Sequence, residues 1–130
     1  MTTTSSIELK DIILNTNIRT YGPNDPVPDH HVLDLTLQID TEKVLIPQDG
    51  MEHVFDYDPL IANLKALAQT GHRETQEWLM SQIAHLCAQR PAIQTIEIYL
   101  RKFPAHQGTG SVGVRLALDK VDFARLRAQP

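Results

Sequence analysis

Three side chains have the type and setting for recognition or proton transfer: Glu77 in "TQEWLMSQIA", Lys102 in "IEIYLRKFP" and Tyr57 in "HVFDYDPL". Glu77 falls in the first turn of a predicted helix, where the helix dipole and free backbone N–H groups favour the ionised carboxylate. Such a carboxylate either caps the helix or grips a planar ring bearing adjacent N–H and NH₂ donors, through parallel charge-assisted hydrogen bonds. The sequence leaves both readings open. Lys102 alternates onto the same face as Ile98 and Leu100, so it is either a strand-end lysine that carries its ammonium out to water or a group held in a site. Tyr57 is compatible with a core ring whose hydroxyl stays wet and with a working phenol. A further set of polar groups, Asn24, Asp25 and Asp29, lies in "TYGPNDPVPDHH", where three prolines and a glycine stiffen the chain between two strand-like segments.

Other chemistries lack their signatures. The six histidines form neither an HxH pair on a strand nor an HExxH on a helix. His30 and His31 point to opposite faces of a strand, while His53, His72, His85 and His106 are scattered, so no metal is expected. There is no GxSxG elbow, phosphate-binding glycine loop or dinucleotide fingerprint. A net charge of −4 argues against nucleic acid or an anionic membrane as the main partner. No apolar run approaches the roughly 20 residues that cross a bilayer. The opening "MTTTSS" lacks the basic and apolar regions of a signal peptide; residues 1–6 read as a frayed end, and the expected location is the cytoplasm. The single cysteine, Cys87, allows no internal disulfide and reads as a small core residue.

The elements that must position these groups follow from periodicity. With 130 residues, 42% of them hydrophobic, the chain makes one domain, expected over residues 7–120. Ile7 to about Leu14 has the β-branched content of a strand, with imperfect alternation. From Val32 to Asp40 the alternation is clean: Leu33, Leu35, Leu37 and Ile39 on one face, Asp34, Thr36, Gln38 and Asp40 on the other. Asp58 then reads as an N-cap with Pro59 at the first helical position, followed by Leu60, Ile61, Leu64, Leu67 and Ala68 at helical spacing and Gly71 as a C-terminal cap. A second helix is predicted from about Thr75 to Gln89, burying Leu79, Ile83, Leu86 and Cys87 before Pro91. Ile96, Ile98 and Leu100 share a face of a third strand; Val112, Val114, Leu116 and Leu118 share a face of a fourth, across the flexible loop "PAHQGTG". The tail, residues 121–130, is amphipathic and has no clear assignment. The order ββααββ gives an α+β domain with a four-stranded antiparallel sheet and two helices on one face, and its exposed edge strands favour assembly.

Taken together, "VLDLTLQID", "FDYDPL", "TQEWLMSQIA" and "YLRKFPAHQGTGSVGV" resemble the dihydroneopterin aldolase family, which includes the dihydroneopterin triphosphate epimerases, over about Ile7 to Leu118. The resemblance implies the tunnelling fold, in which ββααββ units join into barrels with pterin sites between subunits, commonly as homo-tetramers or homo-octamers. It implies cleavage of dihydroneopterin to 6-hydroxymethyl-dihydropterin and glycolaldehyde, in folate synthesis, with no cofactor, metal or Schiff base: protonation at the pterin's N5 makes the ring the electron sink. By the same resemblance Glu77 anchors the amino-pyrimidine edge, Tyr57 and Lys102 serve proton transfer, and Gln76 and Phe55 border the substrate. Epimerisation, a different pterin substrate, or a paralogue that binds without turnover are the alternatives.

The proline loop separates these alternatives. Aligned without a gap from Ile18 to Asp34, Asn24 falls where the aldolases carry a loop glutamate that organises proton transfer. Asp29 falls where they usually carry glutamine, and Arg19 where they usually carry glycine. An asparagine takes up no proton at neutral pH, so the base is missing or has moved to Asp25 or Asp29. Asp29 is the expected catalytic carboxylate, and Asn24 a substrate-binding amide.

Overall fold

The computed structural model of the chain describes residues 3–16, 18, 30–104 and 109–129. Its elements are β1 (Ser5–Leu14), β2 (His30–Ile39), α1 (Asp58–Gln69), α2 (Gln76–Ala88), β3 (Ile93–Phe103), β4 (Val112–Leu118) and α3 (Lys120–Ala128), with single 3₁₀ turns at Thr41–Lys43 and Met51–His53. The sheet has the order β1-β2-β3-β4, antiparallel throughout. Asn24, Asp25, Asp29, Arg19 and His106 lie outside the described residues.

The period-two runs become the core face of the sheet. Leu33, Leu35 and Leu37 stand opposite Leu100, Ile98 and Ile96 across the β2–β3 pair. All are 2% exposed or less, and they pack with Leu60 and Leu64 of α1 and Leu79, Ile83 and Cys87 of α2. Burial pushes the Cys87 thiol up to about 12, so this cysteine is an unreactive core residue. The opposite face carries Asp34, Thr36, Gln38, Glu97, Tyr99 and Arg101, as strict alternation requires. Gly113 sits opposite Arg101 on β4, where a Cβ would come within 2.5 Å of the Leu100 carbonyl oxygen; that close approach explains the glycine between two valines.

The imperfect alternation of the first strand has a specific cause. The register jumps between Leu9, opposite Leu35, and Ile12, opposite Leu33, so Lys10 and Asp11 together face Asp34. Asp11 takes φ 57, the left-handed region. Its N–H donates to Asp34 Oδ1 at 2.7 Å, and Arg101 closes the bulge by donating to Asp34 Oδ2 and Asp11 Oδ1, both at 2.9 Å. The bulge returns Ile12 and Leu14 to the side of the sheet that Leu9 faces. This strand also begins at Ser5, earlier than the apolar run suggests, because Ser5 pairs with Ile39 and its hydroxyl donates to the Ile39 carbonyl.

One helix boundary differs from the sequence reading. The N-cap of α1 is Tyr57 rather than Asp58, and the Asp58 N–H is accepted instead by the Asp56 carboxylate at 3.2 Å. Gly71 does take the left-handed conformation, φ 64, just past the Thr70 C-cap. The amphipathic tail folds into the third helix, α3, on the same face of the sheet as the other two. Asp119 caps it by accepting from the Asp122 N–H at 2.8 Å, and Phe123 is fully buried. Arg127 then donates to the carbonyls of Ala88, Arg90 and Ile93, satisfying acceptors at and beyond the end of α2.

Candidate active site

The site forms where the core face of the sheet runs out beside the N-terminus of α2. Lys102 is two residues beyond Leu100, so alternation keeps it on the core face, and its cross-strand partner is His31. Arg73, only 4% exposed, organises the turn before α2: it donates to the carbonyls of Thr70 (2.9 Å) and Leu67 (2.8 Å) and to the Gln82 side chain. An isolated parallel bridge from Arg73 to Ile18 brings the segment after β1 alongside. Ile18, His31, Glu74, Thr75, Gln76, Glu77 and Lys102 together line a depression of about 180 Å³.

Within it, helix capping and the acidic side chain are separate. Thr75 is the N-cap, its hydroxyl accepting from the Trp78 N–H at 3.1 Å. Glu77, in the first turn, is exposed, and its carboxylate has no hydrogen-bond or ion-pair partner among the described residues. The helix is therefore capped without it, which removes the plain capping reading of this residue. Glu77 sits at the rim of the depression, open to a ligand.

His31 is the buried polar group of the site, 3% exposed. Its Nδ1 lies 2.6 Å from Thr16 Oγ1. Burial, then the nearby Lys102 ammonium and His30, push its pKa down to about 4, so the ring is neutral at physiological pH. Among the described residues its Nε2 has no hydrogen-bond partner, and neither has Oε1 of Gln76. As metal-ligand spacing the histidines give no reason to single out His31. The available signal was phase: position 31 continues the row of Leu33, Leu35 and Leu37, and a histidine there points inward.

The structure thus brings together Glu77, Lys102 and Gln76, and adds His31. It does not bring Tyr57 or Phe55 to the same depression within one chain. Tyr57 stands 46% exposed at the start of α1, and Phe55 is half-buried against the core. A larger concavity, of about 590 Å³, opens at the other end of the sheet beside Ser5, Gln38, Thr95 and Asp122. It contains none of the sequence-derived site residues, so size alone does not locate the chemistry.

The fold and this rim of acid, amide and lysine define an α+β domain of the tunnelling-fold type with a small polar depression at the sheet end. The dihydroneopterin aldolase (FolB) family model matches residues 7–117, and the chain belongs to that family. Among solved structures, it is similar to the dihydroneopterin aldolase of Burkholderia thailendensis bound to guanine, with a TM-score of 0.75, 20% identity, and coverage of 90% of this chain and 92% of that one. It is also similar to the E. coli dihydroneopterin aldolase in complex with neopterin, with a TM-score of 0.75, 18% identity, and coverage of 88% and 98%. Against curated proteins the sequence finds no match.

Proposed function

We propose that this protein is a pterin-processing lyase of the dihydroneopterin aldolase type. The observation that carries the reading is the convergence of an unengaged first-turn carboxylate, Glu77, with Lys102 in one depression, while Thr75 does the capping. Glu77 would accept from the N–H and NH₂ donors of an amino-pyrimidine edge, which pterins share with guanine. Neopterin and guanine, bound by the two related enzymes above, both present that edge.

In the cleavage itself, a proton leaves the side-chain hydroxyl on the carbon that becomes the aldehyde. The C–C bond breaks, its electron pair enters the ring with N5 protonated, and a proton returned to carbon completes the hydroxymethyl product. Lys102, which lines the depression, would carry protons. Tyr57 would join it from a neighbouring subunit, since 180 Å³ is below the roughly 300–1,000 Å³ of ligand pockets and needs further walls. Gln76 borders the ring, Phe55 the adjoining subunit's side, and the pocket needs no metal or cofactor.

A second reading, epimerisation or a different pterin substrate, is favoured by one feature of the sequence, Asn24 in place of the loop glutamate, with Asp29 or Asp25 as the candidate base. Incubating the purified protein with dihydroneopterin and with its triphosphate, then separating the products by chromatography, decides between the readings. The aldolase reading requires 6-hydroxymethyl-dihydropterin and glycolaldehyde in equal amounts. A side-chain epimer as the sole product would establish the second.

A further inference from the structure

Two buried polar atoms on different elements, His31 Nε2 of β2 and Gln76 Oε1 of α2, are left without hydrogen bonds among the described residues, and both residues line the depression that holds Lys102. An unpaired buried polar group is destabilising, and an apolar side chain at position 31 would have continued the leucine row without that cost. The ring is nonetheless held in place, by Thr16 on Nδ1 and by burial on the β2–β3 pair directly opposite Lys102. In the tautomer whose Nδ1–H donates to Thr16 Oγ1, Nε2 carries the ring's lone pair. Lys102 offers only donors, and His31 Nε2 then offers only an acceptor. The group that satisfies both at once is a hydroxyl, which donates to one and accepts from the other.

We propose that His31 is a substrate-contacting residue that selects for a hydroxylated side chain on the bound ring, its Nε2 accepting from a side-chain hydroxyl that in turn accepts from Lys102. This inference rests on the pterin-site reading above, in which Glu77 holds the opposite edge of the ring.

The test compares neopterin, which carries the hydroxylated side chain, with guanine, which has the same amino-pyrimidine edge and no side chain. Both are titrated against wild type, Glu77→Gln and His31→Phe, the last retaining a buried aromatic ring. His31→Phe is expected to weaken neopterin binding about tenfold and to leave guanine within about twofold, as loss of one hydrogen bond predicts. In the wild type, the ¹⁵N resonance of His31 Nε2 should move on adding neopterin and stay in place with guanine, a readout that does not depend on the variant folding. Should Glu77→Gln weaken both ligands while His31→Phe weakens neither, or both equally, and the Nε2 resonance ignore neopterin, the pterin site stands and the role of His31 falls. If the wild type binds neither ligand, the pterin-site reading fails and this inference fails with it.

Discussion

At the scale of single residues, two side chains distinguish a ligand site from a merely stable fold. Glu77 is exposed and unengaged beside a helix N-terminus already capped by Thr75. Glu77→Gln should therefore leave the unfolding midpoint within a degree or two while weakening neopterin at least about tenfold, because hydrogen bonds to a charged group contribute roughly 1.5–3 kcal/mol. Parallel thermal unfolding and ligand titration check this; equal affinity in the two proteins would return Glu77 to the helix surface. His31 makes a complementary prediction about pH. Its pKa is 6.5 when free and about 4 in the folded protein, so the unfolded chain binds more protons between these values. Stability from this group is full above about 6.5 and is lost as pH falls toward 4. Between pH 7 and pH 5, wild type should lose on the order of 1–2 kcal/mol more than His31→Phe, measured by urea unfolding of each at both pH values.

At the scale of elements, legibility followed the length and cleanness of the pattern. The clean alternation of Leu33 to Ile39 and of Ile96 to Leu100 was readable because each run continues for two or more pleats with one face buried. The second helix was readable to within a residue at each end, since Thr75, the apolar spacing and Pro91 all agree. The bulge in β1 was not, because one left-handed residue, Asp11, shifts the phase without any glycine to mark it, and its support comes from Arg101, 90 positions away in the chain. The helix α3 was not, because nine residues are too few to be helical alone and depend on packing. Phe123 supplies that packing, and Arg127 binds the end of α2. Phe123→Ala should cost about 3–5 kcal/mol of stability, as for other buried aromatic truncations, and it should lower helical signal by circular dichroism. A loss below about 1 kcal/mol would mean that α3 is peripheral to the core. In the site, Glu77 and Lys102 were legible from position within an element, whereas His31 required knowing which face continues past the end of the leucine row.

At the scale of the whole molecule, one chain holds only part of what the proposed chemistry needs. Tyr57 lies away from the depression, and Ile13, Leu45, Met51, Tyr57 and Trp78 leave large apolar surfaces uncovered, from 46% to 79% exposed. We expect a homo-oligomer, a tetramer or octamer, in which a neighbour brings Tyr57 to the depression. Sedimentation at micromolar concentration checks the assembly, and a monomer that still turns over pterin would refute the shared site.

The loop enters at this scale as well, since Asn24 cannot act as a base. Asn24→Glu should raise turnover by some part of the 10²–10⁴ that acid–base groups typically contribute. The most direct measurement is the rate of glycolaldehyde release from dihydroneopterin by wild type, Asn24→Glu and Lys102→Ala, each confirmed to sediment alike. Slow release is expected from wild type, faster release from Asn24→Glu, and none from Lys102→Ala. Release unchanged by Lys102→Ala would contradict the proton-carrying role of Lys102.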